Sequence, residues 1–213
     1  MISKVKYFER IPATAKRKSI LLRLGYNQHL TVINDTQQLK LDDGIRRGIA
    51  LCNLAGAYLR IRLSEHSPEK VVLENGQVIP SVNLARLLKN SDEVLLMGAT
   101  VGAEIVTMIH QEITDGDPSQ AVILDAVASE TADAGLDWIM DLFNKLLARE
   151  GKKLTKHRYS PGYGDLALAN QKIIFDLLDL GKLDLMLTKE YILIPEKSVL
   201  ALAGIEPSVK LFQ

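Results

Sequence analysis

The residues Asp117-Pro118-Ser119-Gln120 open the longest helix that this sequence supports, and that helix limits what the chain can fold into. Asp117 is placed as N-cap. Pro118 suits the first helical position, where its missing N–H would have no partner anyway, and Gln120 stands where a side chain can reach back to the cap. The helical pattern runs to about Arg149 and ends at Gly151. At about 1.5 Å per residue, such a rod is roughly 45 Å long. Around it, helix and strand signals mix without the regular alternation of a βαβ protein, which predicts an α+β fold with a largely antiparallel sheet. The composition, 47% hydrophobic and 24% charged over 213 residues, is that of a chain with a full core.

The remaining elements follow from local patterns. KSILLRLGY is a helix closed by Gly25, preceded by the basic run Ala15-Lys16-Arg17-Lys18, which reads as a solvated first turn. A second helix is predicted from about Asp42 to Leu63, because Ile45, Ile49, Leu51, Cys52, Tyr58, Leu59 and Ile61 fall mostly on one helical face. VVLENGQVI carries Asn75-Gly76 between alternating apolar residues, a hairpin signal that calls for positive φ at both turn positions. SVNLARLLKN is a short helix with Ser81 as N-cap. EVLLMGAT is a central strand buried on both faces, and the pattern from Val101 to about Thr114 is helical. LTKHRY is read as a strand, SPGYGD as a turn, and LALANQKIIFDLLDLGK as a helix. KEYILIP and SVLALAGI are read as a closing pair of strands around Pro195-Glu196-Lys197.

Several function classes are disfavoured. Twenty-six basic and 26 acidic residues balance to zero net charge, so there is no electrostatic footprint of a nucleic-acid binder. The same neutrality gives weak colloidal protection and favours association with a partner. No apolar run is long enough for a membrane span, and MISKVKYFER lacks the core of a signal peptide. The lone Cys52 sits in an apolar context, which fits an inert thiol in a reducing cytoplasm. His29, His66, His110 and His157 match no metal spacing. Gly98-Ala-Thr-Val-Gly102 lacks the spacing of a dinucleotide fingerprint and reads as a strand-to-helix turn with Thr100 as N-cap.

Arg158 is the candidate functional residue. It stands at a strand end before Ser160-Pro161-Gly162-Tyr163-Gly164. A guanidinium there can grip a carboxylate with two prongs. Pro161 fixes the backbone, Gly162 and Gly164 let it turn, and Tyr163 offers a ring face and a hydroxyl. This set suits a zwitterionic amino acid or a nucleoside. Read on the residues alone, a structural turn with Arg158 in a surface ion pair is favoured.

RYSPGYGD followed by LTKEYILIPEKSV resembles the activation (reactivation) domain of cobalamin-dependent methionine synthase. Arg158, Gly162 and Tyr163 fill its Arg-x-x-x-Gly-Tyr motif. Lys172 falls in the intervening helix, and Leu187-Thr188, Pro195, Ser198 and Val199 fill its second motif, with Pro207 continuing the register. The match covers about the last quarter of the chain and continues more weakly through DAVASETADAGLDW. A second tyrosine of the family falls at Leu211 here, and the N-terminal aspartate of the family is not assigned to a position.

The resemblance implies a bent, largely antiparallel sheet with flanking helices and a long central helix. It implies binding of S-adenosylmethionine by Arg158, Gly162, Tyr163 and Pro161, with Asp133 on the long helix or Glu130 one turn earlier. Residues 1–213 would form one such domain, with 1–80 a helical N-terminal part carrying the hairpin and 81–213 the family-matching part. The chain would act in trans, in the cytoplasm, as an accessory component and not as a complete methyltransferase. Its partner would be a methionine synthase that holds the cobalamin and lacks its own activation domain, with a flavodoxin- or ferredoxin-like electron donor. Two alternatives stay open: service to another corrinoid methyltransferase, and docking on a cobalamin protein without S-adenosylmethionine.

Overall fold

A computed structural model describes residues 4–27 and 30–208. The elements run β1 (Lys6–Phe8), α1 (Arg17–Arg23), α2 (Asp35–Leu51), β2 (Ala55–His66), β3 (Lys70–Leu73), β4 (Val78–Pro80), α3 (Val82–Leu87), β5 (Glu93–Thr100), α4 (Glu104–Thr114), α5 (Pro118–Leu147), β6 (Lys152–Leu154), α6 (Gln171–Leu178), β7 (Met186–Leu187), β8 (Leu193–Ile194) and β9 (Ser198–Pro207). The main sheet has the order β4-β3-β2-β5-β9-β6, with β1 added against β2, and every pairing is antiparallel. The expected class, α+β with an antiparallel sheet, flanking helices and one long helix, is what forms.

The sheet centre is β5, buried along its whole length. Leu95, Met97 and Ala99 pack with Ala201, Ala203 and Ile205 of β9 against α5 and α4. The alternate residues Val94 and Leu96 pack with Leu59, Ile61, Leu200 and Leu202 against α3 and α6. Helix α5 is apolar on a second side as well, where Ile123 and Val127 meet Ile20, Leu41 and Ile45 of α1 and α2. Close approach there depends on two glycines one turn apart in α2. A Cβ on Gly44 would lie 2.8 Å from Ile123, and one on Gly48 would lie 2.9 Å from Val127.

Two N-caps and one C-terminal glycine stand where the sequence placed them. Asp117 accepts from the Gln120 amide, Ser81 from the Leu84 amide, and α1 ends in a Schellman motif with Tyr26 N–H on Leu21 O and Gly25 N–H on Leu22 O.

Four expectations need correction. The predicted helix Asp42–Leu63 is two elements, with α2 ending at Leu51 and β2 beginning at Ala55. Ala57, Leu59 and Ile61 are buried at every second position, and this strand period was masked by apolar residues that also fit a helical face. In the β3–β4 hairpin only Gly76, not Asn75, has positive φ. A Gly76 N–H···O=C Leu73 turn is followed by Leu73 N–H on Gln77 O, and Asn75 caps Gln77 with its side chain. Gln120 does not reach back to the cap, since the Asp117 N–H bonds Glu112 O. Thr100 is the last residue of β5, and the N-cap of α4 is Ala103, with no side-chain bond.

The C-terminal strands also differ from expectation. The segment before Pro195 pairs with β7, Met186 opposite Ile194, while β9 pairs with β5 and β6. The two predicted closing strands therefore belong to separate sheets. The strand expected over LTKHRY is confined to β6 and a single bridge between Tyr159 and Leu202, and the last predicted helix is α6 flanked by 3-10 turns.

Candidate functional site

Tyr159 is tied to Leu202 in both directions by backbone hydrogen bonds of 2.8 Å. Its ring joins the core on the α6 face. The preceding residue is thereby turned to the opposite face, and Arg158 reaches α5. Its guanidinium donates to Asp133 at 3.0 Å and to Asp137. One turn earlier on α5, Glu130 accepts from Arg23 of α1 at 2.6 Å, and the same Arg23 lies 3.6 Å from Asp133. Arg158, Asp133 and Glu130, selected from sequence, thus belong to one chain of charges along α5. Asp137 and Arg23 are members that sequence reasoning missed. The i, i+4 spacing of Asp133 and Asp137 was a usable signal for the first. Nothing local could have found the second.

The motif turn is held from behind. Pro161 is buried. Gly162 has φ +92° and donates to Leu166 O at 2.7 Å. A side chain at Gly162 would be strained by that φ and would meet Leu168 at 3.2 Å. Asp165 ends the turn by clamping the start of α3, accepting from the Ser81 hydroxyl at 2.7 Å and from the Val82 and Asn83 amides. Its carboxyl is held below the ordinary aspartate range, first by the Ser81 bond and then by the amides. Tyr163 is left exposed, and its hydroxyl makes no hydrogen bond among the described residues. Tyr163 and the α5 carboxylates are not joined by any direct contact.

Lys172 pairs with Asp176 on its own helix at 2.7 Å. Ser198 donates to Pro195 O at 2.6 Å and accepts from the Thr100 hydroxyl at 2.8 Å. Lys197 reaches Asp125 at 2.5 Å. The second motif therefore buttresses the junction of β5, β9 and α5. Leu211 lies outside the described residues.

Arg158 stands in the wall of a 580 Å³ cleft, together with Asp137, Asp141, Asn144, Thr155 and His157. A 300 Å³ cleft adjoins it, sharing Lys16, Asp137 and Asp141, and adds Glu130, Asp133 and Trp138. Another cleft, of 680 Å³, lies between residues 9–14 and 49–54 and contains none of the motif residues. It shares only Ala13 and Thr14 with its neighbour. Charged groups converge in the 580 and 300 Å³ pair, as at a polar ligand site.

Other candidates carry less. Burial pushes the Cys52 thiol up to about 11, against a weaker opposing bond from Thr131, so it is not a thiolate nucleophile at neutral pH. His157 is exposed and lies in a loop, not in the expected strand. Among the described residues no three His, Cys, Asp or Glu side chains gather as a metal set, and no described helix is long and apolar enough to cross a membrane. At Gly98–Gly102 the amides are already used, Val101 on Lys197 O and Gly102 on the Thr100 hydroxyl, which removes the anion-binding role of that turn.

No family model matches the chain, and no curated protein matches it. Among solved structures, the crystal structure of the MetH reactivation domain bound to AdoHcy matches with a TM-score of 0.68 and 13% identity. The match covers 98% of this chain and 80% of that one. At that identity the likeness is one of fold: the present chain has the fold of that reactivation domain.

Proposed function

We propose that this chain binds S-adenosylmethionine and serves, in trans, as the reactivation subunit of a cobalamin-dependent methionine synthase. The observation that carries the reading is the position of Arg158. It stands in the wall of a cleft beside α5, bonded to Asp133, in a fold whose solved neighbour holds AdoHcy. Arg158 would take the carboxylate of the amino-acid end, while Asp133 or Glu130 accepts from its ammonium or from ribose hydroxyls. Pro161, Gly162 and Tyr163 line neither cleft and would contribute from the turn that follows Arg158. The chain's own residues would bind and orient the methyl donor; the acceptor cobalamin would sit on the partner, reduced by a flavodoxin- or ferredoxin-like protein.

Isothermal titration calorimetry is the direct test. S-adenosylmethionine is expected to bind wild type in the millimolar range or below, and Arg158→Ala is expected to weaken it at least about tenfold, the loss of one charge-assisted pair. No binding, or equal binding by the variant, overturns the assignment. The role itself is read by mixing the chain with a cob(II)alamin-loaded partner, a reductant and S-adenosylmethionine. Methylcobalamin is expected only when all are present.

One observation favours a second reading. Both Asp133 and Asp137 already occupy the Arg158 guanidinium, as in a purely structural ion pair. On that reading the chain docks on a cobalamin protein without the methyl donor, and its association is indifferent to added S-adenosylmethionine.

A further inference from the structure

The smaller cleft beside Arg158 contains the one tryptophan of the chain. Trp138 lies on α5 directly after Asp137. Phe8 of β1 fixes its indole in a perpendicular stack, with ring centroids 5.0 Å apart at 87°. The ring is half-buried: part of it joins the core under the sheet, and part lines the cleft. Around it on the same cleft stand Glu130, Asp133, Asp137 and Asp141. The first three share two guanidiniums, Arg23 and Arg158. Asp141 has no ion-pair partner among the described residues, and the one cationic side chain lining this cleft is Lys16.

A rigid indole bordered by carboxylates attracts an organic cation. The ring quadrupole draws positive charge to its face, and tryptophan does so better than tyrosine or phenylalanine. A soft cation with a spread charge and apolar substituents, such as a sulfonium or a quaternary ammonium, loses little hydration on entering. We propose that Trp138, with Asp137 and Asp141, forms a subsite for the sulfonium centre of the ligand. The subsite lets the cleft discriminate the charged methyl donor from its neutral thioether product. This rests on the proposed reading of the Arg158 cleft and adds the residue that reads charge there. Its consequence for function is direction, since the donor enters and the demethylated product leaves.

Trp138 also reports on the subsite, because its emission is the only tryptophan signal in the protein. The full chain is titrated with S-adenosylmethionine, S-adenosylhomocysteine and tetramethylammonium, following tryptophan emission and, in parallel, heat. S-adenosylmethionine is expected to change the emission and to bind at least about fivefold more tightly than S-adenosylhomocysteine, the scale of one cation–π contact. Trp138→Leu is expected to bring the two affinities together by weakening only the former. Because Trp138 also packs in the core, Asp141→Asn on the exposed side of the cleft serves as the second variant. It is expected to weaken S-adenosylmethionine and leave S-adenosylhomocysteine unchanged.

Equal affinities in wild type, or discrimination that survives both substitutions, overturns the subsite while leaving the adenosyl-binding reading intact. If neither adenosyl compound binds but tetramethylammonium still changes the emission, the subsite stands and that reading falls. If no compound changes the emission, the subsite is refuted.

Discussion

Arg60 and Arg158 are each gripped by two carboxylates, yet they differ in kind. Arg60, on β2, meets Glu93 through Nε and Nη2 at 2.9 and 2.7 Å, and meets Glu150 through Nη1 and Nη2 at 2.8 Å each. Lys152 adds a second cation to Glu93 at 2.6 Å. Arg158 meets each of its aspartates through one nitrogen and one oxygen. The arginines are equally covered, with 20% and 23% of the side chain exposed, but Glu93 is 12% exposed while Asp133 and Asp137 are 43% and 67% exposed. The Arg60 fork uses four of its five N–H donors, and its principal partner is taken out of water. The Arg158 fork has donors to spare and partners that can rehydrate. Geometry of the first kind staples β2, β5 and β6 together; geometry of the second kind can exchange one carboxylate for another.

The electrostatics agree. Burial raises the Glu93 carboxyl, but the hydrogen bonds and charges of Arg60 and Lys152 outweigh it and hold the group at about 2. Arg60 is itself pushed upward, first by its bonds to Glu150 and then by those to Glu93.

The sharpest way to break the comparison is Glu93→Ala. It leaves Arg60 with one exposed partner and Lys152 without a direct ion pair, and should cost about 2–4 kcal/mol in urea unfolding. A loss under about 1 kcal/mol would mean the network is only a surface pair.

Acid comes next. A carboxyl depressed to about 2 from an ordinary 4.5 contributes stability that is complete above pH 4.5 and drains away as pH falls toward 2. Wild type should lose on the order of 2–3 kcal/mol across that window. Glu93→Gln should flatten this part of the profile, and a parallel profile would assign the acid sensitivity to other groups.

The smallest effect belongs to Arg158→Ala, which should change unfolding free energy by less than about 1 kcal/mol while weakening the proposed S-adenosylmethionine binding at least about tenfold. A loss as large as that of Glu93→Ala would make Arg158 a second staple and erase the distinction.

Much of the architecture is local and was legible. The caps at Asp117 and Ser81, the run from Pro118, the apolar EVLLMGAT and the Gly162 turn each carry their instruction within a few residues, because capping, turn φ and burial on both faces act over that range. The candidate residues Arg158 and Asp133 were legible through motif and register, but their contact was not.

What the linear chain left undecided was partnership. Residues 55–63 fit a helical face as readily as one face of a strand, and only β5 alongside chose the strand. The residues around Pro195 read as one hairpin until β9 was taken by β5 and β6. That Arg158 falls to Asp137 depends on which helix crosses the sheet, and that Arg60 falls to Glu93 depends on the β2–β5 register, over separations of 21 and 33 residues. Sequence patterns report periodicity and local bonding; the choice among distant partners is made by the packing of α5 on the sheet, which brings those charges together or keeps them apart.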